Sequence, residues 1–95
     1  MKKLLTTILT IFFLIITFDD FAQSAEDLYN QSLKELGNKN YDKAIELMDE
    51  FINKYPDFKN IRMIYVNRAA AKSIKKDYEG AIKDYTEAYD KDPTR

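Results

Sequence analysis

The chain has 95 residues, a formal net charge of −1, and neither cysteine nor histidine. With no basic excess to hold a phosphate backbone, the sequence argues against a nucleic acid partner. The missing cysteine excludes disulfides, thiol catalysis and a lipid-modified cysteine, and the missing histidine removes the commonest general base and metal ligand. Composition therefore argues against an enzyme and favours a small binding or structural protein.

Residues 1–24 form a segment of their own. Two lysines near the start precede an apolar and threonine run from Leu4 to Phe18, and small residues follow. This order is the layout of a secretory signal peptide, and the run of 15 residues (18 − 4 + 1) is shorter than the ~20 that a membrane-spanning helix needs. We predict cleavage after Ser24, with a cut after Ala22 as the alternative, and an exported protein that is periplasmic or secreted. An uncleaved membrane anchor is the competing interpretation.

Beyond Ser24 the apolar residues recur at helical spacing, which predicts an all-α protein of four helices. The first helix begins at Ala25 and stops at Gly37–Asn38. Asn40 is placed to cap the second helix, which ends before Pro56 because a residue preceding proline avoids the α conformation.

Two aspartates are placed to open the second half of the chain. Asp57 is expected to cap a third helix running to about Lys75, and Asp77 a fourth helix that Asp92–Pro93 closes. Four tyrosines on the apolar stripes of the last three helices are expected to lie in the core: Tyr41, Tyr65, Tyr78 and Tyr85.

One pattern occurs twice, displaced by 37 positions (78 − 41 = 37). The repeated residues are Tyr41, Ala44, Ile45 and Pro56, which return as Tyr78, Ala81, Ile82 and Pro93. A fixed period of this size indicates a repeat architecture, in which each unit buries its apolar face against its neighbours. Such proteins present an extended surface, which favours binding over catalysis.

The stretch from Tyr65 to Pro93 closely resembles a tetratricopeptide repeat. It carries three small residues, a tyrosine at the entry of the second helix and a terminal proline at the family's places, namely Ala69, Ala81, Ala88, Tyr78 and Pro93. The resemblance implies two tandem helix-turn-helix units in a short right-handed α-solenoid, with residues 25–58 as a divergent first unit and 59–95 as the second. Three residues beyond the family's 34-residue length are expected to lengthen the start of the third helix at Lys59–Ile61.

The sequence departs from the family where it commonly has glycine before each second helix. Lys39 and Lys76 stand there instead. If these turns need a left-handed residue, each lysine costs about 1–2 kcal/mol.

The resemblance also implies a place for a ligand, because first helices of successive units line a concave groove in this family. The groove would be lined by Tyr29, Asn30, Leu33, Leu36, Met63, Val66, Asn67 and Ala70. Asn30 and Asn67 hold equivalent places, where an amide can bond a peptide backbone through its donor and its acceptor; alternatively they are plain exposed polar residues. The family's clamp for a C-terminal carboxylate is matched only at Asn67, so that ligand is not predicted.

The last helix is expected to leave an open face, formed by Ala81, Tyr85, Ala88 and Tyr89. Repeat arrays usually have about three units and a polar cap, so we expect a second copy, a partner or a continuation of the chain to cover this face.

Three acidic residues share one side of the second helix, namely Asp42, Glu46 and Glu50. They are interpreted as a solvated flank, because no glycine-bearing loop gathers further oxygen ligands around them. No catalytic residue, metal or cofactor is predicted. The favoured function is an exported protein-protein interaction module that binds a peptide or helix in its groove. The alternatives are a self-assembling or structural subunit, or the N-terminal fragment of a larger repeat protein, with membrane contact only through an uncleaved signal segment.

Overall fold

A computed structural model describes residues 24–91, which contain four α-helices and no strand. The helices are α1 (Ala25–Gly37), α2 (Tyr41–Lys54), α3 (Ile61–Ile74) and α4 (Tyr78–Lys91). α1 packs on α2, α2 on α3, and α3 on α4, so the described chain is two tandem helix-turn-helix units. This confirms the predicted fold class. Residues 1–23 and the predicted stop at Asp92–Pro93 lie outside the described residues.

The two units have the same short turn between their helices. Each turn has three residues, 38–40 and 75–77, and each places a lysine in the left-handed region, with φ 64° at Lys39 and φ 69° at Lys76. In both turns the lysine N–H and the next N–H bond back to the preceding helix, which is the pattern of a Schellman motif. Both turns therefore contain a left-handed residue, and in each turn the lysine carries the steric cost of that conformation.

The helix starts differ in how they are capped. Ser24 Oγ accepts a hydrogen bond from the Asp27 N–H at 3.1 Å, and Asp77 Oδ1 accepts one from the Gly80 N–H at 3.0 Å. Asn40 holds the cap position of α2 as predicted, but its side chain does not cap, because its amide donates to Glu35 at 2.8 Å.

The predicted start of α3 is wrong. α3 begins at Ile61, and Asp57 lies exposed four residues earlier, in a turn that spans residues 55–60. Backbone bonds from Phe58 to Tyr55 and from Ile61 to Phe58 close this turn. The connection has six residues where the turns inside each unit have three, so the three extra residues of the period lengthen the connection between units and leave α3 at 14 residues.

The core is centred on Phe51, whose side chain is fully buried. Its ring contacts those of Tyr29, Tyr55 and Phe58, with centroids 6.4, 5.4 and 5.0 Å apart. Around it lie the other buried members of the cluster, from α1, α2 and α3: Leu28, Ala44, Leu47, Met48, Ile61, Ile64 and Ala71. Phe51 stands where the second unit has Ala88, and it fills the junction between the units.

The expected burial of four tyrosines holds for only two of them. Tyr41 and Tyr65 are half-buried, whereas Tyr78 and Tyr85 are exposed on α4. Helical spacing predicted that these side chains share an apolar face, but within the described residues no further helix packs on that face.

Candidate functional site

The residues predicted to line a groove lie on the first helix of each unit. Four are on α1 (Tyr29, Asn30, Leu33 and Leu36) and four on α3 (Met63, Val66, Asn67 and Ala70). None of the eight is buried: Asn30, Leu33 and Met63 are exposed, and the other five are half-buried. Each of the two helices therefore presents apolar groups and an asparagine amide that are not buried.

The two asparagines in this set have free amides. Within residues 24–91, neither Asn30 nor Asn67 uses its side chain in a hydrogen bond. Each amide offers two N–H donors and one carbonyl acceptor, which is the pair of functions that an extended peptide backbone requires.

The α1 side of this surface is held by the core. The Tyr29 ring meets Phe51 edge-on, and Leu36 packs against the same buried cluster. Because Phe51 cannot move without opening the core, the position of Tyr29 is fixed from behind.

The α3 side is held by a network of charges. Arg68 donates two hydrogen bonds to the carboxylate of Asp84 on α4, each 2.8 Å long, and Lys72 Nζ lies 3.0 Å from the same carboxylate. Asp84 is only 2% exposed, so this is a buried, bidentate ion pair with a second cation. Arg68 immediately follows Asn67, and its anchoring fixes the turn of α3 that carries the amide.

The network sets the charge of its members. Burial by itself raises the pKa of Asp84, but the hydrogen bonds from Arg68 and Lys72 outweigh it and hold that pKa below its usual range. Burial likewise lowers the pKa of Arg68, and the bonds to Asp84 more than reverse this. Both groups are therefore charged at neutral pH.

Arg68 also reaches the first unit. Its Nη1 donates to Asp49 on α2 at 2.8 Å, and its guanidinium lies 5.4 Å from the centre of the Tyr65 ring. One side chain thus contacts α2 and α4 from α3. Sequence reasoning missed this network, although a signal was present: Asp84 stands between Ala81 and Ala88 on the buried side of α4, where a charged residue needs a partner.

The acidic flank of α2 does not form a cation site in the described residues. Its carboxylates are paired with lysines: Asp42 with Lys75, Glu46 with Lys43 at 3.6 Å, and Glu50 with Lys54 at 2.7 Å. No cluster of three or more potential metal ligands occurs within residues 24–91. An open polar cleft lies beside this flank, lined by Lys39, Asn40, Tyr41, Asp42, Lys43 and Lys75.

The residues predicted for an open face on α4 separate into two pairs. Tyr85 and Tyr89 are exposed, at 46% and 60%, whereas Ala81 and Ala88 are 2% and 4% exposed and lie buried within the chain. The alanines therefore cannot contribute to an exposed face, because they lie on the side of α4 that also carries the buried Asp84.

None of the four described helices is long and apolar enough to cross a membrane.

Comparison with known proteins gives one informative match. Over 70 residues the chain is 41% identical to the Small glutamine-rich tetratricopeptide repeat-containing protein 2 of Saccharomyces cerevisiae; the match covers 74% of this chain and 19% of that protein. The chain thus spans about a fifth of that relative's length. No protein-family model matches, and no solved structure matches. The match and the two tandem helix-turn-helix units make the chain similar to tetratricopeptide repeat proteins.

Proposed function

We propose that the chain is an exported protein-protein interaction module that binds a peptide or a helix of a partner across α1 and α3. The similarity to a tetratricopeptide repeat protein supports a scaffold that works through protein contacts rather than catalysis. The observation that carries the proposal is that none of the eight groove residues is buried, together with the two free amides of Asn30 and Asn67.

The recognition has two components. Leu33 and Met63, exposed at 36% and 39%, supply apolar contact for a partner's side chains. Asn30 and Asn67 bond the partner's backbone, one from each unit, so the ligand runs from the first unit to the second. This combination binds a segment by its backbone and its apolar residues, and it does not require a charged terminus.

The groove is tested by selecting peptides from a displayed random library on the full chain and measuring their affinities. Asn67→Ala should weaken binding of the selected peptides about tenfold, the effect of losing one or two hydrogen bonds in a desolvated contact. Asn53→Ala is the matched control, because Asn53 is an exposed asparagine on α2, outside the groove, and should leave affinity unchanged. Equal affinities for the two variants would refute the groove.

Export is the second part of the proposal and rests on the sequence of residues 1–24. It is tested by mass spectrometry of the chain recovered from outside the cytoplasm. A product that begins at Ala25 supports the predicted cut, and one that begins at Gln23 supports the alternative. A chain retained at full length would contradict cleavage.

The two cleavage products would differ in the cap of α1. A cut after Ser24 removes the side chain that caps α1, whereas a cut after Ala22 keeps it. Loss of such a cap costs about 1 kcal/mol, and a new α-ammonium at Ala25 would also oppose the helix dipole.

A further inference from the structure

Four large apolar side chains are exposed along one helix, α4. Tyr78, Ile82, Tyr85 and Tyr89 are 59%, 66%, 46% and 60% exposed. We call these four residues the α4 stripe. It shares only two residues with the open face that the sequence predicted, and none with the groove.

The spacing of the α4 stripe is that of a helix-helix seam. Its residues are separated by four, three and four positions, as at the a and d positions of a heptad repeat, so they lie along one side of α4. The order four, three, four is the same in both directions along the chain. A second α4 running antiparallel therefore sets Tyr78 opposite Tyr89 and Ile82 opposite Tyr85 with no residue left over.

The borders of the α4 stripe are compatible with its burial under another helix. On one side lie Ala81 and Ala88, which are buried within the chain. On the other side Thr86 has its hydroxyl bonded to the Ile82 carbonyl at 2.8 Å. A partner helix thus covers this hydroxyl without leaving it unpaired.

The area of the α4 stripe suits pairing with an identical surface. At about 200 Å² for a whole tyrosine, the three exposed tyrosines leave roughly 330 Å² open, and Ile82 brings the total to roughly 450 Å². Two copies together would bury up to roughly 900 Å², which is the low end of protein interfaces and the size expected of a weak, reversible pair. The same patch is within the range of the largest apolar patch that a monomer usually exposes.

We propose that the α4 stripe pairs with the α4 stripe of a second copy of this chain, with the two helices antiparallel about a two-fold axis between residues 83 and 84. Each copy then keeps its α1 and α3 surface open. The pair would present two grooves, and a partner carrying two binding segments would engage both.

The first test measures the mass of the full chain in mild detergent, which keeps the apolar segment of residues 1–23 in solution, over a wide range of concentrations. The expected result is a reversible dimer. Ile82→Lys should weaken it by about 100-fold or more, because each copy would bury an unpaired charge. Asn53→Lys adds the same charge on α2 and should leave the dimer unchanged. Association that survives Ile82→Lys would assign pairing to another segment and overturn the proposal, as would a monomer at every concentration.

The second test determines the orientation of the helices. Because the chain has no cysteine, Tyr78→Cys and Tyr89→Cys each introduce a single thiol. Mixed and oxidised, the two variants should form mainly the disulfide between position 78 of one copy and position 89 of the other. A dominant 78–78 disulfide would mean parallel helices, and cross-linking only to a chain of different sequence would identify another occupant. Either result refutes the proposal and leaves the Asn67→Ala result for the groove unaffected.

Discussion

The two helix-turn-helix units share their length and turn geometry but are held together differently. The first is built around Phe51, in an apolar cluster that α3 of the second unit completes, and ion pairs within α2 such as Lys54–Glu50 are exposed. The second has alanines and a buried ion pair between α3 and α4, and its large apolar side chains face outward on α4. The unit that resembles the family pattern more closely is thus the one whose apolar face lacks a cover among the described residues. A close sequence match to a repeat therefore does not mean that the unit completes its own core.

Capping differs between the units for an identifiable reason. A Cβ at Gly80 would collide with the Asp77 carboxylate, so glycine at this position leaves room for the cap of α4. The equivalent residue in the first unit is Lys43, and there the Asn40 side chain bonds Glu35 instead.

The largest predicted effects come from removing the centre of each unit. Phe51→Ala should lower the free energy of unfolding by about 3–5 kcal/mol through the cavity it leaves. Arg68→Ala should cost about 3 kcal/mol, because Asp84 loses its bidentate partner while buried. Urea unfolding followed by circular dichroism measures both. If Arg68→Ala costs no more than an exposed pair such as Lys54→Ala, the charge network does not stabilise the second unit.

Acid should weaken the ion pair of the second unit and leave the apolar cluster around Phe51 unaffected. The folded-state pKa of Asp84 lies below its usual value, so the network's contribution is fully present above the unfolded pKa of about 4 and is lost as pH falls through the folded pKa. We expect the free energy of unfolding to fall with acidification below about pH 4. In Asp84→Asn the slope should be shallower, whereas Phe51→Leu should retain the original slope despite its lower stability. Identical slopes in the wild-type chain and Asp84→Asn would contradict the assignment.

Glycine at either left-handed lysine should stabilise the chain. Lys39→Gly and Lys76→Gly should each raise the free energy of unfolding by about 1 kcal/mol, the steric relief less the added freedom of the unfolded chain. Lys59→Gly is the control, because Lys59 lies in the 55–60 turn without a positive φ. Thermal melts of the three variants test this, and stabilisation by Lys59→Gly alone would exclude relief of strain as the cause.

The smallest effects concern the caps. Asp77→Ala should cost about 1 kcal/mol by removing the bond to Gly80 N–H, whereas Asn40→Ala should cost only a few tenths because its side chain caps nothing. The comparison needs careful denaturation curves on matched samples. Equal losses would mean that the two helix starts are stabilised in the same way.

Much of the fold follows from the sequence, because helix limits depend on local signals. Gly37, Pro56 and Asp77 marked the limits of three helices, and the period of 37 residues gave the tandem arrangement. The start of α3 was not predicted correctly, because hydrogen-bonded turns occupy residues 55–60 and the helix begins only after them. Exposure of Tyr78 and Tyr85 also did not follow, since spacing identifies an apolar face but not what covers it.

Only part of the candidate site could be predicted from the sequence. Asn30 is exposed and Asn67 half-buried on the first helices of their units, as their assigned positions require, and their role in binding remains a prediction. Arg68 contacts Asp84 and Asp49, which are 16 and 19 positions away in the sequence, so no local pattern predicts these contacts.

The contact of Arg68 with both α2 and α4 affects how the chain unfolds. In a repeat array each unit has its own stability, and the interface between neighbours decides whether they melt separately or together. Here the Asp49 and Asp84 contacts, the Asp42–Lys75 pair and the shared cluster around Phe51 all cross or border the single interface. Loss of α3 would remove a packing partner of α2 and of α4 at once. We therefore expect the two units to unfold in one cooperative transition, which coincident urea curves from circular dichroism and tyrosine fluorescence would show.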